Sequence, residues 1–421
     1  MRMPVACVAA VLMLASVISG LHTVPASAQP RVLYDPDPKH LWNRVHEVFR
    51  VRVAADGSVH GFDTVDPLLW RETRHLLSGP SHTAALGILD EFLSSKGETL
   101  SVDPLERAVF QHDLWAVFDW LAVASDGENA ARSRLMTRLV RVMRRVALGR
   151  AQIEALPDTY AAALASGRLA LPPDLFSAGG TWVGVGGSQP VAPQHAAELG
   201  RSAFGVHWSL PGGRAATERF LRTLWDFPQP SVADHSFQMA RDGELRVMLN
   251  PALPSPPEGT RLALVRRMLV IDGRGVILPT NIVQTIQFRV LGKDQAFSEF
   301  TMSRAGLFAG PSGGLRAVTA EETGFLTFSS HGLDAFERQE VARSPSGARV
   351  LDGCATCHQT EFGPVLESIR SLRSVLRPNA LVDPGHPRWS QWSTQANAAC
   401  YAKSRTYEWG VLQGLWHTQP R

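Results

Sequence analysis

Apolar and polar positions recur with two different periods along this chain, and the change of period divides it. From Asp66 to about Gly167 the period is helical. Leu86, Leu89, Phe92 and Leu93 share one face. Val109, Leu114, Val117, Phe118 and Leu121 share another, after the start signal Ser101-Val102-Asp103-Pro104. Leu135, Leu139, Val142 and Val146 make a third. Opposite them Arg134, Arg138, Arg141 and Arg145 repeat at the same spacing, with Arg144 alongside. Such a ridge is either a solvated helix face or a dock for an acidic partner or an anionic membrane surface. Ahead of this region, residues 29–65 read as a mixed leader with a Pro-rich start and a short strand pair around Val51-Arg52-Val53 and Asp56-Gly57.

After Gly167 the helical period fades. Pro172-Pro173, Gly179-Gly180 and Gly186-Gly187 lead into a region where period two dominates. Val270 to Ile277 predicts two strands around Asp272-Gly-Arg-Gly. Ile286, Phe288 and Val290 alternate with Thr285, Gln287 and Arg289, which predicts a half-buried strand with the polar set facing water. Phe297 to Met302 and Phe325 to Phe328 are further strands, and one helix is expected over Ala215 to Asp226. A final helix is expected over Thr394 to Gly414. Cys400, Tyr407, Val411 and Leu415 would lie on its buried face. The expected class is α+β: a mainly helical region over 29–167, a mostly antiparallel β region over 168–343, and a small α-helical segment over 344–421. A chain of 421 residues exceeds what one hydrophobic core serves, so two or three such units are expected.

Composition adds little: 44% apolar and 19% charged residues are ordinary for a globular protein. The 42 basic residues include only four lysines, and the formal charge of +3 demands no nucleic acid or other polyanion as partner.

The N-terminus does change the picture. One arginine, an apolar run from Val5 to Ile18 and the Ala26-Ser27-Ala28 site form a secretory signal peptide over 1–28. No later stretch has the apolar length of a membrane span, so the expected location is the periplasm or an equivalent compartment. Cleavage discards Cys7 and leaves Cys354, Cys357 and Cys400.

Two of those three cysteines stand in Cys354-Ala-Thr-Cys357-His358, the attachment pattern of c-type haem. Each thiol would add to a porphyrin vinyl group, and His358 would be held against the iron as an axial ligand. A zinc site would need a second ligand pair, which the lone Cys400 does not supply, and a redox dithiol would need a βαβ setting. Cys400 is then read as a small apolar core residue, with iron ligation or an intermolecular disulfide as the other readings. Four of the eleven tryptophans (Trp389, Trp392, Trp409 and Trp416) fall in the same C-terminal stretch, as a flat aromatic cofactor or any compact core would favour.

With Phe362-Gly363-Pro364-Val365-Leu366 following the pentapeptide, residues 344–421 resemble the cytochrome c family. The resemblance implies one covalent haem c and a helical fold. It also implies that the Pro364 carbonyl accepts a hydrogen bond from the outer nitrogen of His358, fixing its tautomer. It covers under a fifth of the chain, and the rest carries no motif of a known family. One departure matters. Many members of the family supply a methionine downstream as the second axial ligand, whereas here no methionine follows Met302. His386, in Asp383-Pro-Gly-His386-Pro, is the first candidate; His331, His417 and Met302 are the others, as is an open position.

Three functions follow. A haem with both axial positions filled carries one electron to or from a redox partner protein. An open sixth position would permit an enzyme or a gas or redox sensor. The long N-terminal region could instead serve binding or assembly. No Ser-His-Asp, HExxH or Walker pattern favours another catalyst.

Overall fold

The computed structural model describes residues 33–53, 59–63, 74–123, 129–185, 201–229, 231–233, 247–292, 297–310, 312–322, 351 and 392–418. The signal peptide, Asp56-Gly57 and Phe325 to Phe328 lie outside them. Helices and an antiparallel sheet together make the protein α+β.

The helical part is α1 (Leu41–Arg50), α2 (Gly79–Ser94), α3 (Pro104–Val123), α4 (Asn129–Val146), α5 (Arg150–Glu154) and α6 (Thr159–Ser166), with a two-stranded ribbon of β1 (Arg52–Val53) and β2 (Val59–His60) after α1. Burial explains α2 to α4. Leu89 and Phe92 on α2, and Leu135, Leu139, Val142 and Val146 on α4, are buried as their spacing predicts. All five predicted positions of α3 are buried as well, and so are its polar residues Gln111, His112, Asp113 and Asp119. A helix covered on every side must satisfy each polar group individually, and α3 does so largely through the neighbours described below. Asp103 caps its start, its Oδ1 accepting from the Leu105 amide at 2.7 Å. Helix α1 falls where a leader was expected; Leu41, Trp42, Val45 and Phe49 bury one face against the same core.

The β part is β3 (Val183–Val185), β4 (Ser202–Ser209), α7 (Gly213–Asp226), β5 (Ser231–Ala233), β6 (Val247–Leu249), β7 (Arg261–Ile271), β8 (Ile277–Val290), β9 (Phe297–Met302), α8 (Arg304–Ala309) and β10 (Leu315–Ala317). Six strands form one antiparallel sheet in the order β10-β9-β8-β7-β4-β3, while β5 and β6 pair separately. The Asp272-Gly-Arg-Gly turn joins β7 to β8 as predicted, with the buried Asp272 carboxylate accepting from the Arg274 and Val276 amides at 2.9 Å each.

Alternation on β7 shows how the layers meet. Leu269 and Ile271 join the core of α1 to α4, while Met268 and Val270 join a second core with Leu148, Ile153 and Tyr160. The sheet is therefore covered on both faces at this end. One expectation is corrected at the other end of the hairpin: Arg289, opposite Leu262 and expected to face water, is only 7% exposed, and burial pushes its guanidinium down to about 10. A third, smaller core lies between α7 and the β3–β4 edge.

The chain closes with α9 (Trp392–Ser404) and α10 (Tyr407–Thr418). The single helix expected over Thr394 to Gly414 is thus two, interrupted at Arg405 and Thr406; of the expected stripe, Cys400, Val411 and Leu415 pack partly against the first core and Tyr407 does not. Tyr407 is 73% exposed, and the buried face of α10 is Trp409, Leu412 and Trp416. These three enter the first core against α3 and α4, while α9 packs on β4 and β8. Gly275, at φ +81°, marks the contact with the β7–β8 turn: Gln413 Nε2 donates to its carbonyl at 2.9 Å, and a Cβ there would come within 2.9 Å of the Trp416 ring.

Candidate functional site

Cys354, Cys357, His358, Pro364, His386 and His331 all lie outside the described residues. The described chain stops at Glu322 before them, with Leu351 between, and resumes at Trp392 after them. Both flanks are anchored. Glu322 forms a two-fold pair with Arg316 of β10, each bond 2.7 Å, and α9 lies on the sheet.

Three sequence candidates fall inside. Met302 is fully buried at the end of β9, in the second core, where a Cβ on Gly314 would run into its sulfur. His417 is exposed on the last turn of α10, its Nε2 3.1 Å from Gln413 Oε1. Cys400 packs partly against the first core, and burial pushes its thiol up to about 12, which keeps it protonated and inert. The arginine ridge of α4 is not a free cationic face: Arg138 pairs with Asp90 at 2.8 Å and Arg145 with Glu98 at 3.0 Å. No cluster of three or more His, Cys, Asp or Glu side chains suited to a metal ion occurs among the described residues.

What the structure does assemble is a row of buried polar groups along α3, which sequence reading missed. Asp113 takes both ends of the Arg304 guanidinium, the Nη2–Oδ1 bond being 2.6 Å, with Arg50 Nε at 3.8 Å and His46 Nδ1 at 3.7 Å. Burial alone would raise the Asp113 carboxyl, but the Arg304 and Arg50 cations overcome it and hold the group well below the usual carboxylate range. Tyr34 lies against His46, and its buried hydroxyl has no hydrogen-bond partner among the described residues; burial, then Asp113, pushes it far above an ordinary phenol.

One residue earlier, His112 is locked as a neutral imidazole. Its Nδ1 donates to the Leu269 carbonyl at 3.0 Å, and its Nε2 accepts from Gln284 Nε2 at 3.1 Å. Gln284 Oε1 in turn accepts from the Ser202 hydroxyl. Burial, reinforced by Arg201, lowers this histidine to about 3. Gln111 bridges the same helix to β7, exchanging two 2.8 Å bonds with the Ile271 backbone.

Two turns on, Asp119 Oδ2 accepts from Arg201 Nη1 at 2.9 Å and from Lys403 Nζ at 2.8 Å, and Lys403 also donates to Glu408 at 2.8 Å. This joint ties α3, β4, α9 and α10 together. The one legible signal for these residues was the presence of His, Asp and Gln within an otherwise apolar helix. Each charged group of the row faces an opposite charge, so the row ties α3 to its neighbours.

The described helices include none long and apolar enough to cross a membrane. No family model, curated protein or solved structure matches the chain, so its site is defined by its own residues.

Proposed function

We propose that this chain is an exported c-type cytochrome that passes one electron between redox partner proteins in the periplasm. One haem would be held through Cys354 and Cys357, with His358 as axial ligand. The observation that carries the reading is Cys354-Ala-Thr-Cys357-His358 itself, in a chain whose first 28 residues form a signal peptide. The bound haem supplies the one-electron couple of its iron. The chain's part is to hold the ligands: Pro364 orients His358 through its carbonyl, and α9 with α10 ties the C-terminal flank of the segment to the core. The cytochrome c-like fold of 344–421 belongs to this proposal.

For the sixth position, His386 is the ligand of choice. Using Met302 would mean extracting a fully buried side chain from the second core, and His417 sits at the exposed end of α10. A histidine pair gives a lower reduction potential than histidine–methionine. The lack of any methionine after Met302 also favours a second reading, an open position serving an enzyme or gas sensor.

Expression in a periplasm able to attach haem tests all of this. The expected product keeps its haem through denaturing electrophoresis, and Cys354→Ala with Cys357→Ala loses it. Visible spectra unchanged by carbon monoxide support the carrier, and His386→Ala then becomes sensitive to it. A large shift in the unmutated protein supports the open site. A wild-type product without covalent haem sinks both readings.

A further inference from the structure

At the junction of α3, β4 and α9, one guanidinium is only half used. Arg201 is 3% exposed, and its Nη1 bonds Asp119, yet Nε and Nη2 are buried with no hydrogen-bond partner among the described residues. Those two N–H groups point the same way and form the side-on fork with which arginine takes a carboxylate through two parallel bonds. Leaving buried donors unmet is costly, and two on one cation point to a partner that the described residues do not supply. Lys403, itself paired with Glu408, shares Asp119 Oδ2, so Asp119 and Glu408 balance the two cations and the fork edge of Arg201 is left as the open donor pair. The Trp120 ring, centred 5.7 Å from the guanidinium carbon, lies beside it. Asp119 Oδ1 is also buried and unmet, an acceptor for a hydroxyl or water accompanying the ligand.

We infer that the free edge of Arg201 is a carboxylate-binding site, occupied either by a small free carboxylic acid or by a carboxylate of the chain's own prosthetic group. Only the second source rests on the haem reading, through the two propionates that a haem carries.

Formate is the probe, with chloride at equal ionic strength as control. Melting temperature is read in the wild-type protein and in the C354A/C357A chain. A free carboxylate as ligand gives a saturable rise with formate in both forms and none with chloride. A propionate as ligand gives the rise only in the C354A/C357A chain. In the haem-bearing protein, R201K would then change the pH dependence of the reduction potential. Under either source R201K, which keeps the charge and the reach to Asp119 but loses the fork, weakens formate binding at least roughly tenfold. The inference is overturned if formate acts no differently from chloride in both forms while R201K leaves the potential–pH profile unchanged. It is equally overturned if R201K responds to formate as the wild type does. Should R201K not fold, the response of the C354A/C357A chain to formate against chloride decides alone. Should the wild type carry no covalent haem, the haem reading fails, and the formate response still decides the site.

Discussion

Asp113 sits between two buried guanidiniums and cannot be neutralised cheaply. Asp113→Asn would remove the carboxylate that both Arg304 and Arg50 face in the first core. Removing one partner of such a pair costs about 3–5 kcal/mol. Asp90→Asn breaks a single 2.8 Å bond to Arg138 at the surface, where solvent and salt reduce its worth to about 1 kcal/mol or less. Urea unfolding of both variants should show that contrast; equal losses would mean that Asp113 is better hydrated than its burial implies. None of this was legible beforehand. Asp113 and Arg304 are 191 positions apart, and no local period records which cation a buried acid will meet. The pentapeptide at Cys354 was legible for the opposite reason. Its chemistry is contained in five adjacent residues, whereas the group across the iron from His358 depends on long-range placement that spacing does not encode.

Periodicity served the elements well where one face met one core. Helices α2 and α4 were readable from their stripes, and the β7–β8 hairpin from the Asp-Gly-Arg-Gly turn. It failed at α9–α10 because a stripe at helical spacing was drawn across the break at Arg405 and Thr406, joining residues of two helices. It missed α1 because one short amphipathic helix in a Pro-rich leader offers few turns to count. A pair of substitutions separates the two accounts of the C-terminal helix. Trp416→Ala removes a side chain that is 2% exposed and packed at Gly275, and should cost about 3–5 kcal/mol. Tyr407→Ala, on the face once expected to be buried, should change stability by about 0.5 kcal/mol or less. The reverse order in a denaturant series would restore the continuous helix.

For the molecule as a whole, three of the buried histidines among the described residues bear on how it meets acid. His46, His112 and His207 are each lowered on folding, burial being the leading cause, His112 and His207 to about 3. A histidine whose pKa falls on folding binds its proton more weakly in the folded chain than in the unfolded one. The stability gained by keeping it neutral is complete above the unfolded value near 6.5 and is lost as pH falls from there towards 3. His112 and His207 together then forfeit about 3 kcal/mol by pH 5.5 and about 5 kcal/mol by pH 4.5, and His46 adds to the loss. Asp113, held low by its arginines, works in the same direction but only below the ordinary carboxylate value of 3.8, so it is silent in this window. Against a typical total stability of about 5–15 kcal/mol, that loss is a large share of what holds the protein folded. Urea unfolding between pH 7.5 and 4.5 should show stability falling steeply from about pH 6.5, with a shallower slope in His207→Gln, whose unpartnered Nε2 makes it the least disruptive of the three to replace. Stability that stays flat to pH 4.5 would mean that these imidazoles reach solvent or a counterion when protonated, and that the polar row along α3 is less closed than its hydrogen bonds describe.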